Sequence, residues 1–184
     1  MALAAARRRI GARTTEAEVK SLDEQMSIYA AYHRDRRNKA THFVGVPAIV
    51  FAVLIPMSWV EIGAGVTLAH VFVVAVLAYY FMLDALLALA TVVAVTALLY
   101  AAESAAAKGA ASGWIWFGTF FAGGWALQLV GHAFEGRKPA LADNVFQIFI
   151  APIFLVAEIF FACGLKRDVL KKVEARLSQG PTAK

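Results

Sequence analysis

The chain is 184 residues long, 60% hydrophobic and only 17% charged, whereas soluble domains run to roughly 45–50% apolar and 25% charged; this excludes an ordinary water-soluble globule and points to one membrane domain. The net charge of +5 gathers at the ends, with nine Lys/Arg in residues 1–42, six in 164–184 and three between. Basic ends suit anionic headgroups on a cytoplasmic face, and they exclude nucleic acid as a partner because no basic face carries base-stacking aromatics.

Residues 1–14 carry arginines but no apolar stretch of the kind a secretory signal needs, and are expected to be disordered. From Thr15, the positions Val19, Leu22, Met26, Tyr29 and His33 advance by three and four, which predicts an amphipathic helix over about 15–34, opened by a Thr15/Glu18 capping box and lying on the membrane surface or over the bundle. The polar run Asp35-Arg36-Arg37-Asn38 breaks that helix. Asn38 is expected to cap the next one, which returns Asn38 and His42, at i and i+4, to one face.

Five apolar runs follow, at about 43–60, 64–83, 85–102, 114–131 and 144–163, each near the roughly 20 residues a membrane span requires. The stretch 66–102 is too long for one crossing and is expected to fold back at Asp84. With residues 1–42 cytoplasmic, the fourth run returns His132 and Glu135 to the side that holds His33 and His42. Run five breaks the charge rule if it crosses, so it is expected to be a Pro152-bent, re-entrant or obliquely packed helix. The fold class is therefore all-α, a multipass transmembrane bundle of four to five membrane helices with an amphipathic N-terminal helix. Residues 15–170 form its single domain, and 171–184 a basic tail. Cys163, the one cysteine, reads as a small core residue.

Chemistry concentrates in two stretches. In Gln128…His132…Glu135 a helix brings three polar side chains to one face where an apolar run ends, and His33 and His42 stand at the mouth of another run. Imidazole suits iron, zinc and copper, so His33, His42 and His132 are candidate metal ligands, with Glu135 as a ligand or an orienting acid. A salt bridge from Glu135 to Arg137 or Lys138, and a helix-dipole role for His132, remain open. Arg137 and Lys138 could bind a substrate carboxylate or lipid headgroups. Glu158, inside an apolar run, should face the protein interior and hold a site residue or Arg137, or make a purely structural pair. Tyr29 reaches toward the site or marks the interface. His70 reads as a lipid-interface or core residue. Trp114, Trp116, Phe117, Phe120, Phe121 and Trp125 resemble an interfacial belt.

Tyr29…His33…Asn38…His42…Pro47, followed by Gln128…Gly131-His132…Phe134-Glu135…Pro139-Ala140-Leu141…Asp143-Asn144 and Ala151-Pro152…Glu158, resembles the family of membrane 2-hydroxy fatty acid dioxygenases over about residues 22–170. The resemblance implies Fe(II)-dependent α-oxidation, in which O2 converts a 2-hydroxy fatty acid to a fatty acid one carbon shorter. By position, His33, His42 and His132 match the family's histidines, and Asn38 and Glu135 its polar companions.

The expectation is thus an iron oxygenase with metal ligands His33, His42 and His132. Glu135, Asn38 and Arg137 would assist the chemistry, and Tyr29, Arg137 and Lys138 would contact substrate. Gln128, Glu158 and Asp143 would support from behind. Its partners are a 2-hydroxy fatty acid, O2 and membrane lipids, with oligomerisation left open, and it sits in a bacterial inner membrane or endoplasmic reticulum with the site facing the cytoplasm. The rivals are a membrane zinc-dependent lipid hydrolase, with metal-bound water as nucleophile, and a non-enzymatic membrane scaffold or metal carrier.

Overall fold

Charge and proline decide where the helices begin and end. The computed structural model describes residues 20–139 and 145–179; the segment 1–14, the Thr15/Glu18 capping box and Asp143 lie outside them. Helix α1, Leu22–Ala31, buries Leu22, Gln25, Met26, Tyr29 and Ala30 along one stripe. The chain then bends, and α2, Arg36–Met57, begins at Asp35, whose side chain accepts the Arg37 amide at 2.8 Å. The expected cap at Asn38 is corrected by three residues. The earlier carboxylate captures the free amides first, which places Asn38 inside α2, fully buried.

A two-stranded hairpin, β1 Glu61–Gly63 and β2 Val66–Thr67, fills the gap between the first and second apolar runs and takes the first residues of the second. Helix α3, Leu68–Leu83, opens with Thr67 and His70 capping each other, and the His70 Nε2 lies 3.3 Å from Glu103. His70 is thus a capping residue, a role that the alternatives of core or interface did not include. Asp84 ends α3 and caps α4, Ala85–Ala106, accepting the Leu86 and Leu87 amides. Lys166 pairs with it at 2.5 Å. The fold-back at Asp84 is as expected: a lone carboxylate in hydrocarbon-like sequence is costly within a helix and useful at a helix start.

Helix α5, Ala110–Glu135, ends at Gly136 in the left-handed conformation (φ 67°), the usual glycine device for closing a helix. It runs antiparallel to α2 along a seam of small residues. A Cβ on Gly45 would come 3.0 Å from the Gly124 carbonyl oxygen, and one on Gly131 would strike Thr41 and Asn38. Close approach of backbones through glycine is how helices pack without a water-driven force between them, and here it sets the N-terminal part of α2 against the C-terminal part of α5.

After the described chain resumes, a 3₁₀ turn, Val145–Phe149, leads into α6, Ala151–Ala162, with Pro152 in its first turn. Pro152 therefore starts a helix and does not kink one. At about 1.5 Å per residue α6 is about 18 Å long. Helix α7, Arg167–Ser178, is helical where a basic tail was expected; it buries Val169 and Val173 and ties to α1 through Arg176 and Asp23 at 2.6 Å. Among the described residues, two helices, α2 and α4, are long and apolar enough to cross a membrane.

Candidate metal centre

Each of three imidazoles arrives from a different element. His33 stands in the bend between α1 and α2, where its Nδ1–H donates to the Tyr29 carbonyl at 2.7 Å. Its ring stacks on Tyr29 with centroids 3.9 Å apart and planes 4° from parallel. His42, two turns into α2, donates its Nδ1–H to the Asn38 carbonyl at 2.9 Å. A carbonyl oxygen can only accept, so both rings carry their proton on Nδ1 and leave a lone pair on Nε2. Those two Nε2 atoms face each other at 3.0 Å.

His132, in the last turn of α5, presents its ring edgewise, 4.9 Å from His33 and 5.1 Å from His42 between centroids. Its Nδ1 is buried without a partner. One nitrogen from each ring lies within 4.8 Å of the others, and all three side chains are buried. Burial pushes the His33 pKa down to about 3; the Tyr29 hydrogen bond opposes this, while His42 and His132 reinforce it. The ring is therefore neutral, the form that ligates a metal.

Two opposed lone pairs and an orphaned ring nitrogen, all buried, are an unsatisfied set in the protein alone. A cation among the rings would engage both opposed lone pairs and one nitrogen of His132. Nitrogens about 2.1 Å from one ion and at right angles around it stand about 3 Å apart, the separation His33 and His42 already have. The residues fit a transition metal, and three neutral imidazoles suit iron, zinc or copper alike.

The carboxylate of Glu135 turns from the rings to the backbone. It accepts from the Arg34 amide at 3.0 Å, the Asp35 amide at 2.8 Å and Asn38 Nδ2 at 3.1 Å. It thereby fastens the bend that carries His33 to the end of α5. Asn38 also donates to the Tyr32 carbonyl at 3.0 Å. Arg137 is exposed and donates to the Ala31 carbonyl at 3.3 Å, and Lys138 is exposed. Glu158, on α6, is bound by Lys39 at 2.8 Å and so serves neither Arg137 nor a histidine.

The histidines line a cavity of about 70 Å³ together with Tyr29, Trp125, Gln128 and Gln147. A second cavity, of about 280 Å³ and almost wholly apolar, shares Ile49, Val50 and Ile148 with it and runs on between α2, α3 and α4. Gln147, Gln25 and Lys39 were missed from sequence. Gln147 and Gln25 each left a trace, as a polar residue inside an apolar run and on an apolar stripe, whereas nothing local pairs Lys39 with Glu158.

A family model described as "2-hydroxy-palmitic acid dioxygenase Mpo1-like" matches residues 19–163. The chain is also 32% identical over 148 residues to a 2-hydroxy-palmitic acid dioxygenase, MPO1, of Saccharomyces cerevisiae, covering 78% of this chain and 82% of that protein. No solved structure matches it significantly.

Proposed function

The chain belongs to the 2-hydroxy-palmitic acid dioxygenase Mpo1-like family, and on that premise we propose that it is an integral membrane dioxygenase that uses Fe(II) and O2 to convert 2-hydroxy fatty acids to fatty acids one carbon shorter. The observation that carries this reading is the convergence of three buried imidazoles on a small cavity beside an apolar one that shares Ile49, Val50 and Ile148 with it. A substrate with a chelating head and a hydrocarbon tail matches that pair of cavities in polarity and in order.

In this reading His33, His42 and His132 hold the iron, which when bound supplies O2 activation and a Lewis-acidic seat for the hydroxyl and carboxylate. The Tyr29 and Asn38 carbonyls fix which nitrogen of His33 and His42 is free to ligate. The Tyr29 ring keeps His33 from swinging out. Glu135 acts by position, holding the His33 bend against α5. Gln128 lines the wall near the head, and Trp125 and Val46 help exclude water. Arg137 and Lys138, just before the cavity-lining Pro139, draw the carboxylate to the mouth by charge. Glu158 and Lys39 hold α6 across the start of α2.

The same proposal makes residues 15–170 one membrane domain, with α2, α3, α4 and α5 as spans and α6 packed inside without crossing. The site then faces the cytoplasm of a bacterium, or the cytosol across the endoplasmic reticulum. The test is anaerobic loading of the purified chain with Fe(II), followed by O2 uptake on adding 2-hydroxypalmitate, with pentadecanoate as product. O2-independent turnover by a zinc-loaded protein would overturn the reading in favour of a hydrolase, and tight metal binding without turnover would favour a carrier.

A further inference from the structure

Gln147 sits in a segment whose polarity is inverted. In the 3₁₀ turn, Val145, Phe146 and Ile148 are 71%, 44% and 39% exposed, whereas Gln147 is 1% exposed. Apolar side chains outside and an amide inside make sense where the outside is lipid and the inside holds something for the amide to bind. Inside, Gln147 meets the cavity that the three histidines line.

A relay fixes how the amide points. Gln147 Nε2 donates to Gln25 Oε1 at 3.2 Å, and Gln25 Nε2 donates to the Tyr79 hydroxyl at 3.1 Å. With its nitrogen engaged by Gln25, Gln147 keeps its Oε1 buried and without a partner. From α5, Gln128 brings a buried, unpartnered Nε2 to the same cavity. The cavity thus has one spare acceptor and one spare donor. The head of a 2-hydroxy acid offers the complement, a hydroxyl hydrogen and carboxylate oxygens, whereas an unsubstituted fatty acid lacks the hydroxyl.

We propose that Gln147 selects 2-hydroxy fatty acids by accepting the hydrogen of the 2-hydroxyl group at Oε1, with Gln25 and Tyr79 as positioning residues that hold its amide in that sense. The inference rests on the reading of this site as one for 2-hydroxy fatty acids. A site built to bond a substrate hydroxyl rejects the analogue without it, because the protein group is then left buried and unpaired. Selection by Gln147 therefore operates without the metal, whereas selection by chelation does not.

The experiment uses the full chain in lipid nanodiscs, stripped of metal, with 2-hydroxypalmitate and palmitate competing against a fluorescent fatty acid. The wild type is expected to prefer 2-hydroxypalmitate, Gln147→Leu to reduce the preference by about tenfold or more, and Tyr79→Phe to reduce it partially without touching the cavity. Gln147→Met, nearer in shape, carries the test if the leucine variant does not fold. Equal binding of both acids by the metal-free wild type, or an undiminished preference in folded Gln147 variants, would overturn the inference. Iron-loaded wild type that takes up O2 with 2-hydroxypalmitate while the Gln147 variants keep their preference defeats this inference alone. Absence of uptake by the wild type defeats the reading beneath it.

Discussion

The Nε2 atoms of His33 and His42 face each other at 3.0 Å, each ring having already given its Nδ1–H to a backbone carbonyl one turn earlier. No proton is left for either nitrogen to share, so the pair is set for a positive guest. His132 completes the set from the antiparallel helix.

Replacing His132 removes one of the three proposed ligands and leaves the helix seam intact. His132→Ala is expected to abolish stoichiometric iron binding and O2 uptake while helicity by circular dichroism stays at the wild-type level. Unchanged turnover would take this cluster out of the chemistry.

Glu135 tests position against ligation. Glu135→Ala frees the Arg34 and Asp35 amides and is expected to cost about 1–3 kcal/mol of stability. It should weaken Fe(II) binding while leaving it measurable, because the three imidazoles remain. Thermal midpoints and metal titration check this, and complete loss of binding with unchanged stability would make Glu135 a ligand.

Acid should destabilise the metal-free protein through His33. Its folded pKa is pushed down to about 3 from an ordinary value of 6.5. Above pH 6.5 both states are neutral and the residue makes stability no more pH-dependent. As the pH falls from 6.5 toward 3, only the unfolded chain takes up the proton, so stability drains away across that window. A His33→Gln variant should show a shallower decline between pH 6.5 and 4 in thermal melts.

The glycine seam predicts that bulk at a residue that is not itself a ligand harms the site. A side chain at Gly131 would collide with Thr41 and Asn38, one residue from His132. Gly131→Val is expected to cost about 1–3 kcal/mol and to lower metal occupancy, measured by elemental analysis of the purified protein. Gly63→Ala, in the distant hairpin where a φ of 146° suits glycine and would strain an alanine although nothing lies near, should lose stability locally and keep its metal.

Stoichiometry follows from the atoms. A 2-hydroxy acid plus one O2 balances as the shortened acid, CO2 and water, with no outside reductant. One O2 and one CO2 per substrate are expected, read by oxygen electrode and carbon-13 label at the carboxyl carbon. Formate as the one-carbon product would require two further electrons from a donor, and its detection would refute this balance.

The sequence made much of the centre legible because histidine, proline and isolated charge are rare in apolar runs. His33, His42 and His132 stood at run mouths, the number of runs put those mouths on one side, and Asp84 was the lone acid in a stretch too long for one helix. What escaped was non-local or non-helical. Asp35 outcompeted Asn38 as the cap because the helix began three residues early. Lys39 finds Glu158 across 119 residues of separation, which no spacing rule reaches. Gln147 faces inward because a 3₁₀ turn directs it there, and a periodicity of 3.6 says nothing of such a turn.

During synthesis, His33 and His42 leave the ribosome about a hundred residues ahead of His132. The three imidazoles cannot meet until α5 lies beside α2, so a half-made chain holds at most two of them. Once closed, the proposed centre would tie α5 to the bend before α2, and metal supply would then check whether those two parts of the bundle have met.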